Sequence, residues 1–336
     1  MGQSIPMIRA MSLIPAVRWL NAHGRSVDEL LRSAGLSSAP FGDPLRPVSL
    51  LGVGSLLRAI ANTEGPDVPA RIVAEASILE LALLGRVALG TRSPSEALGR
   101  IAAALPLFCS HEHLSLHPRP GGLMLRHSYP VGFDPEAEHL MLQYAVAMAD
   151  RLCSMTGAGS PRLAWIEIPP HPEHGVEHLR PWFGADIVAK QGHAISISID
   201  SDVADRPFPN VARDRMLGKR PPEMVPLRGD RSFAGSARVM LSSMLEDGVP
   251  SLEQLALASG TSVRTLQRRL REEGTSFAEL LGEVRRDRAV NQLAAGGDSI
   301  VSISTDLGYQ RQASLTRAMR RWTGLPPTRF RQTLGG

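Results

Sequence analysis

The stretch TSVRTLQRRLREEG, residues 261–274, sets Arg264, Arg268, Arg269 and Arg271 around Leu266 and Leu270. Two leucines four apart share one face of a helix, so the arginines must occupy the others. On an exposed helical face a guanidinium can pair with O6 and N7 of guanine, and a Gln amide can read adenine in the same way. Arg264, Gln267 and Arg268, spaced three and four apart, form such a face. A second stretch further along offers Arg311, Gln312, Ser314 and Arg317. These seven side chains are the candidate DNA-contacting residues.

The other constellations carry less. In PPHPEHGVEHLR, His174 and His178 stand four apart with Glu173 and Glu177 nearby, and His171 precedes them. That spacing admits a metal on a helix, but it is permissive and no metal is expected. His111, His113, His117 and His127 surround a hairpin pattern interrupted by Pro118, and no cysteine joins them. No GxSxG, phosphate loop, dinucleotide fingerprint or HExxH occurs, so no catalytic residue and no cofactor are expected and the chain reads as a non-enzyme. A ligand pocket needs an apolar lining with a few polar groups. Arg126, His127, Tyr144 and Trp165 could contribute, although for each aromatic a plain core position is the favoured alternative.

Composition narrows the setting. A chain of 336 residues suits two domains. No apolar run reaches the ~18 residues of a membrane span. Arg9, Arg18, Pro6 and Pro15 interrupt the N-terminal segment, so no signal peptide is expected. Two cysteines, Cys109 and Cys153, make no framework, which fits a reducing, cytoplasmic location. The charge is unevenly spread. From Arg231 onward there are 15 arginines against 10 acidic residues, whereas the preceding 230 residues carry 22 basic and 23 acidic groups. A basic excess confined to the last third is the footprint of a nucleic-acid-binding domain.

The elements that must position these groups fall into an α+β N-terminal domain over 1–205, a linker over 206–230 and an all-α C-terminal domain over 231–336. Residues 1–108 read mostly as helix. SVDELLRSAG has the Ser26 and Glu29 of a capping box. HLSLHPRPGGLMLRHSY reads as a β-hairpin, DPEAEHLMLQYAVAMADRLCSMTG as a helix, and RLAWIEIPP and HAISISID as strands. A short helix is expected around Val211 to Leu217 of the linker. The C-terminal third reads as six helices, with capping boxes at Ser251/Gln254 and Ser276/Glu279. Within it lies a repeat. Leu255-Ala256, Gly260, Leu266, Arg268 and Leu270 correspond to Ile303-Ser304, Gly308, Leu315, Arg317 and Met319, with one residue inserted in the second unit. An apolar-small pair, a glycine turn and an arginine-bearing helix make a helix-turn-helix unit. The fold class is therefore an α+β domain followed by an all-α domain with two helix-turn-helix units joined by a long helix.

The last hundred residues resemble the AraC/XylS family of bacterial transcription regulators. The resemblance rests on LALASGTSVRTLQRRLREEGTSFAELLGEVRRDRAVNQLA and ISTDLGYQRQASLTRAMRRWTGLPPTRFR, including Leu307-Gly308-Tyr309, Arg321-Trp322-Thr323-Gly324, Pro327 and Phe330-Arg331. The chain departs from that pattern at Leu315 and Met319, where phenylalanine is usual, and at Arg311, where an acidic or small residue is frequent. The front of the chain is similar, more loosely, to the arabinose-binding-type N-terminal domain of such regulators, through SVDELLRSAGL, WFGADIVAKQGHAISISID and RPFP. The resemblance implies a one-component activator. Its partners would be double-stranded DNA, RNA polymerase, an unknown small-molecule effector and a second copy of the chain. The alternative keeps DNA binding but makes the front domain an enzyme or a ligand-independent assembly module. Trp322 is expected on the apolar side of its helix with Leu315 and Met319.

Overall fold

Alternating apolar and polar residues pair into a five-stranded sheet in the computed structural model, which describes residues 4–37, 42–81, 90–209, 224, 226–227 and 232–334. The chain divides into two units, Pro6–Arg228 and Gly229–Gly336 with Met1–Ile5. The helix expected at Val211 to Leu217 lies outside the described residues, as does most of the proposed linker.

In the first unit, β1 (Met7–Arg9) and β2 (Pro47–Ser49) form a small antiparallel pair. Between and after them come α1 (Ile14–Ala22), α2 (Val27–Ser33), α3 (Leu50–Glu64), α4 (Val68–Glu75) and α5 (Pro94–Ala104). The hairpin follows as β3 (His113–Arg119) and β4 (Gly122–Ser128), closed by Pro120 and Gly121, whose φ of 79° suits glycine. Next are α6 (Pro135–Ser154), β5 (Trp165–Ile168), α7 (Arg180–Phe183), β6 (Asp186–Ala189), β7 (Ala194–Asp200) and α8 (Ser201–Ala204). The larger sheet runs β3-β4-β7-β5-β6, antiparallel except for the parallel β5–β6 pair. On β7, Ile195, Ile197 and Ile199 are fully buried. Each is worth about 1.5–3 kcal/mol relative to exposure. Asp134 caps α6 by accepting from the Ala137 amide at 3.0 Å, and Pro135 takes the first helical position. The Ser26 side chain makes no cap hydrogen bond, so the capping box expected at α2 does not form.

The second unit is helical: α9 (Phe233–Met244), α10 (Leu252–Ala258), α11 (Val263–Glu272), α12 (Phe277–Ala295), α13 (Ile300–Asp306), α14 (Gln312–Thr323) and α15 (Pro327–Leu334). Its first five helices each begin at a serine whose hydroxyl accepts a first-turn amide: Ser232, Ser251, Ser262, Ser276 and Ser299. The Ser251/Gln254 pair is a reciprocal capping box. At α12 the Glu279 carboxylate instead takes the Ser276 hydroxyl at 2.8 Å. Glu273, just past α11, accepts from the Phe233 and Ala234 amides at 2.9 and 2.6 Å, so one carboxylate caps α9 from another helix. A negative group at a helix N-terminus is favoured by the helix dipole.

Gly308 is fixed by two constraints. Its φ is 75°, and an added Cβ would fall 1.8 Å from Cγ2 of Val249. Gly282, inside α12, has open space around the same atom. Gly308→Ala should lower the melting temperature of the protein through the left-handed cost of ~1–2 kcal/mol and the collision with Val249. Gly282→Ala should raise it slightly, by roughly 0.5–1 kcal/mol of helix propensity. Thermal denaturation of both variants checks the contrast, and equal melting temperatures would refute it.

Candidate functional site

The two helix–glycine–helix units match bond for bond. In the first, the Gly260 amide donates to Leu257 O at 3.0 Å and Thr261 N to Ala256 O at 3.0 Å. In the second, Gly308 N reaches Thr305 O at 2.8 Å and Tyr309 N reaches Ser304 O at 2.9 Å. Both glycines have positive φ, 62° and 75°, as a helix C-terminus closed in this way requires. The corresponding side chains are buried together: Leu255 with Ile303, Ala256 with Ser304, Leu266 with Leu315 and Leu270 with Met319. With one face of α11 and α14 committed to the core, the opposite face points to solvent.

Arg264, Gln267 and Arg268 are all exposed on α11. Arg268 Nη1 meets Glu272 Oε1 at 2.7 Å, one turn on. An exposed pair of that kind contributes only about 0.3–0.5 kcal/mol, so a stronger anion can take its place. Arg271 is exposed, whereas Arg269 is half-buried with its Cζ 5.3 Å from the centre of the Phe233 ring. On α14, Arg311 occupies the N-cap and makes no side-chain cap bond, Gln312 opens the helix, and Arg317 donates to Ser314 Oγ at 3.2 Å. Arg311, Gln312 and Arg317 are exposed and Ser314 half-buried. Trp322 is half-buried rather than enclosed, lying with Arg321 along a groove bordered by Ala278, Gly282 and Arg286 of α12.

The first unit contains a partly open, mainly apolar cavity of about 160 Å³ between the hairpin and helices α1, α3, α5 and α6. Met141, Tyr144, Ala145 and Met148 reach it from one face of α6, and Leu125 and His127 from the inward face of β4. Of the four side chains considered from sequence, His127 and Tyr144 line it, while Arg126 and Trp165 do not. Glu112 was missed. It precedes β3, and no period marks it. Its Oε1 accepts from His127 Nε2 at 2.7 Å and from the Tyr129 hydroxyl at 3.4 Å. His127 is 4% exposed, and its Nδ1 is buried without a hydrogen-bond partner. Burial, and then the Glu112 charge, hold the Tyr129 phenol well above its ordinary range, so it stays protonated and donates.

The histidines of PPHPEHGVEHLR belong to a separate network. His171 and Gly175 bridge across a turn, and His178 lies in a short 3-10 segment, so His174 and His178 do not share the helix that their spacing admits. His139 Nδ1 donates to Pro169 O at 2.7 Å, which leaves its Nε2 to accept from His178 Nε2 at 3.1 Å. His171 Nδ1 accepts the amides of Glu173 and His174 at 3.1 and 3.2 Å. Among the described residues no group of three or more His, Cys, Asp or Glu is arranged to hold a metal. Burial, with the neighbouring histidines, lowers His139 from 6.5 to about 3 and His178 to about 4.

Neutral imidazoles in the fold and cationic ones in the unfolded chain make stability rise with pH between those values. It is complete above pH 6.5 and is lost as pH falls towards 4 and then 3. The melting temperature should drop over that window, and His139→Gln should flatten the drop. An unchanged pH profile in the variant would remove His139 from this account.

A unit of sheet and helices, with a second unit of paired glycine-turn helices that expose arginines, defines a helix-turn-helix regulator with an added mixed domain. The model of the arabinose-binding domain of AraC transcription regulator matches residues 24–208, more than half the chain, and that of a helix-turn-helix domain matches residues 255–333. The chain belongs to the AraC family of transcription regulators. It is 36% identical over 104 residues to the HTH-type transcriptional regulator Rv1395 of Mycobacterium tuberculosis, covering 31% of this chain and 30% of that one. It is 36% identical over 89 residues to VqsM of Pseudomonas aeruginosa, covering 26% and 27%. It is 31% identical over 134 residues to VirS of Mycobacterium tuberculosis, covering 40% and 39%. The chain thus spans about a third of the length of the curated relatives it matches. The crystal structure of transcriptional regulator CdpR from Pseudomonas aeruginosa aligns over 94% of this chain and 98% of that one, at 17% identity and a TM-score of 0.40. Among the described residues no helix is long and apolar enough to cross a membrane.

Proposed function

We propose that the protein is a cytoplasmic, one-component transcription activator. Its second unit reads double-stranded DNA, and its first unit binds a small-molecule effector. The observation that carries the DNA reading is the bond-for-bond match of the two glycine-turn units, each presenting an exposed polar face. The 19 residues of α12 span ~28 Å at 1.5 Å each. That suits two helices entering successive major grooves roughly 34 Å apart. Arg264, Gln267 and Arg268 would meet base edges from α11. Gln312, Ser314 and Arg317 would do so from α14, with Arg311 at the helix N-terminus, where positive potential favours phosphate. Arg271 would meet phosphate or solvent. Activation implies contact with RNA polymerase, and a second copy of the chain would read a second site. The cavity supports effector sensing over a ligand-independent assembly module or an enzyme.

The assignment separates the arginines of α11 by role. Arg268→Ala should cost about 1–3 kcal/mol on the preferred site and relax selection at one base pair. Arg271→Ala should leave base preference unchanged, with an equal weakening on all sequences or none. Binding-site selection with each variant at fixed salt, with folding checked by circular dichroism, tests this. Affinity of the parent protein should also fall steeply as salt rises. Retained preference in Arg268→Ala, with altered preference in Arg271→Ala, would reverse the orientation of the helix. No binding at low salt would end the DNA reading.

A further inference from the structure

The cavity of the first unit is walled mainly by hydrocarbon. On α6 the lining positions are Met141, Tyr144, Ala145, Met148 and Ala149, which form one complete helical stripe. Such a stripe normally packs against a neighbouring element, yet Ala145 and Met148 in the middle of the helix keep accessible surface. Two of the five positions carry only a methyl group, where a larger side chain would fill the space. Leu56 and Leu57 of α3, Leu98 and Ile101 of α5 and Leu125 of β4 contribute to the other walls. Native cores leave few voids larger than a water molecule, because atoms lining an unfilled one lose their packing partners. A space of about 160 Å³ is well beyond that size, and it is partly open, which gives a solute a way in.

We propose that the cavity binds a compact, uncharged and mainly hydrocarbon molecule, about the size of a single ring. This rests on the reading of the first unit as an effector domain and names the class of effector. Size sets the first limit. A volume of about 160 Å³ is close to that of the ~150 Å³ apolar cavity that takes up benzene. Charge sets the second. Among the described residues that line the cavity there is no Lys or Arg. The carboxylate and the imidazole of the lining, Glu112 and His127, meet each other at 2.7 Å, and the Tyr129 hydroxyl holds the same Glu112 oxygen at 3.4 Å. Whichever of them holds the proton, that contact is made within the wall. Burial holds the Tyr144 phenol above its ordinary range, so it stays uncharged. An anionic ligand therefore meets no arginine or lysine, and a cationic one must compete with His127 and Tyr129 for Glu112. A buried charge without a partner is strongly disfavoured. Hydroxyl count sets the third limit. Outside the Glu112 cluster, only Ser12 and Tyr144 bring polar side chains to the lining. A pentose would bury its further hydroxyls against leucine and methionine, and each unpaired hydroxyl is penalised. The arabinose of the family description therefore does not fit this cavity.

The test uses the intact protein with toluene, benzoate, benzylamine and L-arabinose, each followed by calorimetry and thermal shift. Toluene should bind and raise the melting temperature, and the other three should bind more weakly by about tenfold or more. Ala145→Phe fills the cavity from α6 and should weaken toluene binding by about tenfold or more. Met148→Ala enlarges it and should shift the preference from toluene towards naphthalene by about tenfold. Should Ala145→Phe not fold, the Met148→Ala shift and the ligand ranking in the parent protein decide. No binding of toluene, or binding of benzoate, benzylamine or L-arabinose as tight as that of toluene, would overturn the proposal. So would toluene affinity and a naphthalene-to-toluene ratio that neither variant changes. Toluene binding that leaves affinity for DNA unchanged would uphold the site and defeat the sensor reading instead.

Discussion

The second arginine helix stands where it does because Arg285 holds the turn in front of it. Its Nε donates to Leu307 O at 2.9 Å, and its Cζ lies 5.0 Å from the centre of the Tyr309 ring. Leu307 and Tyr309 flank Gly308. A single guanidinium thus satisfies a carbonyl that the end of α13 leaves without a helical partner, and it covers the ring on the other side of the glycine. The turn leaves room for no Cβ, since Val249 packs over it. Arg285 belongs to α12, so the long helix and the second turn are one mechanical piece. Gln292 of α12 adds a bond to Asp306 at 3.2 Å.

The first turn repeats the backbone bonds of the second but is held by different means. Glu273 takes the two N-terminal amides of α9, and Arg269 lies over Phe233 of the same helix. Arg238 of α9 pairs in turn with Asp287 of α12. The paths from α11 and α14 both end on α12, through α9 in one case and Arg285 in the other. Two of the basic residues in this arginine-rich unit, Arg269 and Arg285, are thereby spent on architecture. Net charge alone would have counted them with the DNA-facing groups, so counting overstates the binding surface.

What was legible in the sequence was local. Serine caps, glycine turns and the leucine pairs of α11 depend on neighbours within a turn or two, and the 255–270 and 303–319 repeat could be aligned by eye. The hairpin was equally plain, because Pro120-Gly121 and the flanking alternation lie side by side. Strands β1 and β2 have three residues each, too few to show a period. Strand β6 pairs in parallel with β5 across an intervening helix, a partnership that no local pattern announces. The final helix, α15, was missed because Pro327 reads as a breaker unless it is recognised as a helix start. His174 and His178 show the limit of a spacing argument. A four-residue spacing suggests a helix, but Gly175 adopts φ 59° between them and turns the chain back on itself.

The cavity shows the same boundary between local and distant information. Alternation on β4 sends Leu125 and His127 inward, which the sequence states. That the space beneath them stays open depends on α1, α3 and α5 arriving from far along the chain. Its polar end depends on Glu112, a residue outside any regular element. The two buried histidine groups of this unit share one feature. His139 uses both ring nitrogens, on the Pro169 carbonyl and on His178, but His178 Nδ1 is buried without a hydrogen-bond partner. His127 places Nε2 against Glu112, and its Nδ1 is likewise buried and unpaired. An unpaired buried nitrogen costs about 1–3 kcal/mol, and the unit carries that cost in a packed histidine cluster as well as beside the cavity, so the orphaned atom by itself does not tell a binding cavity from a defect.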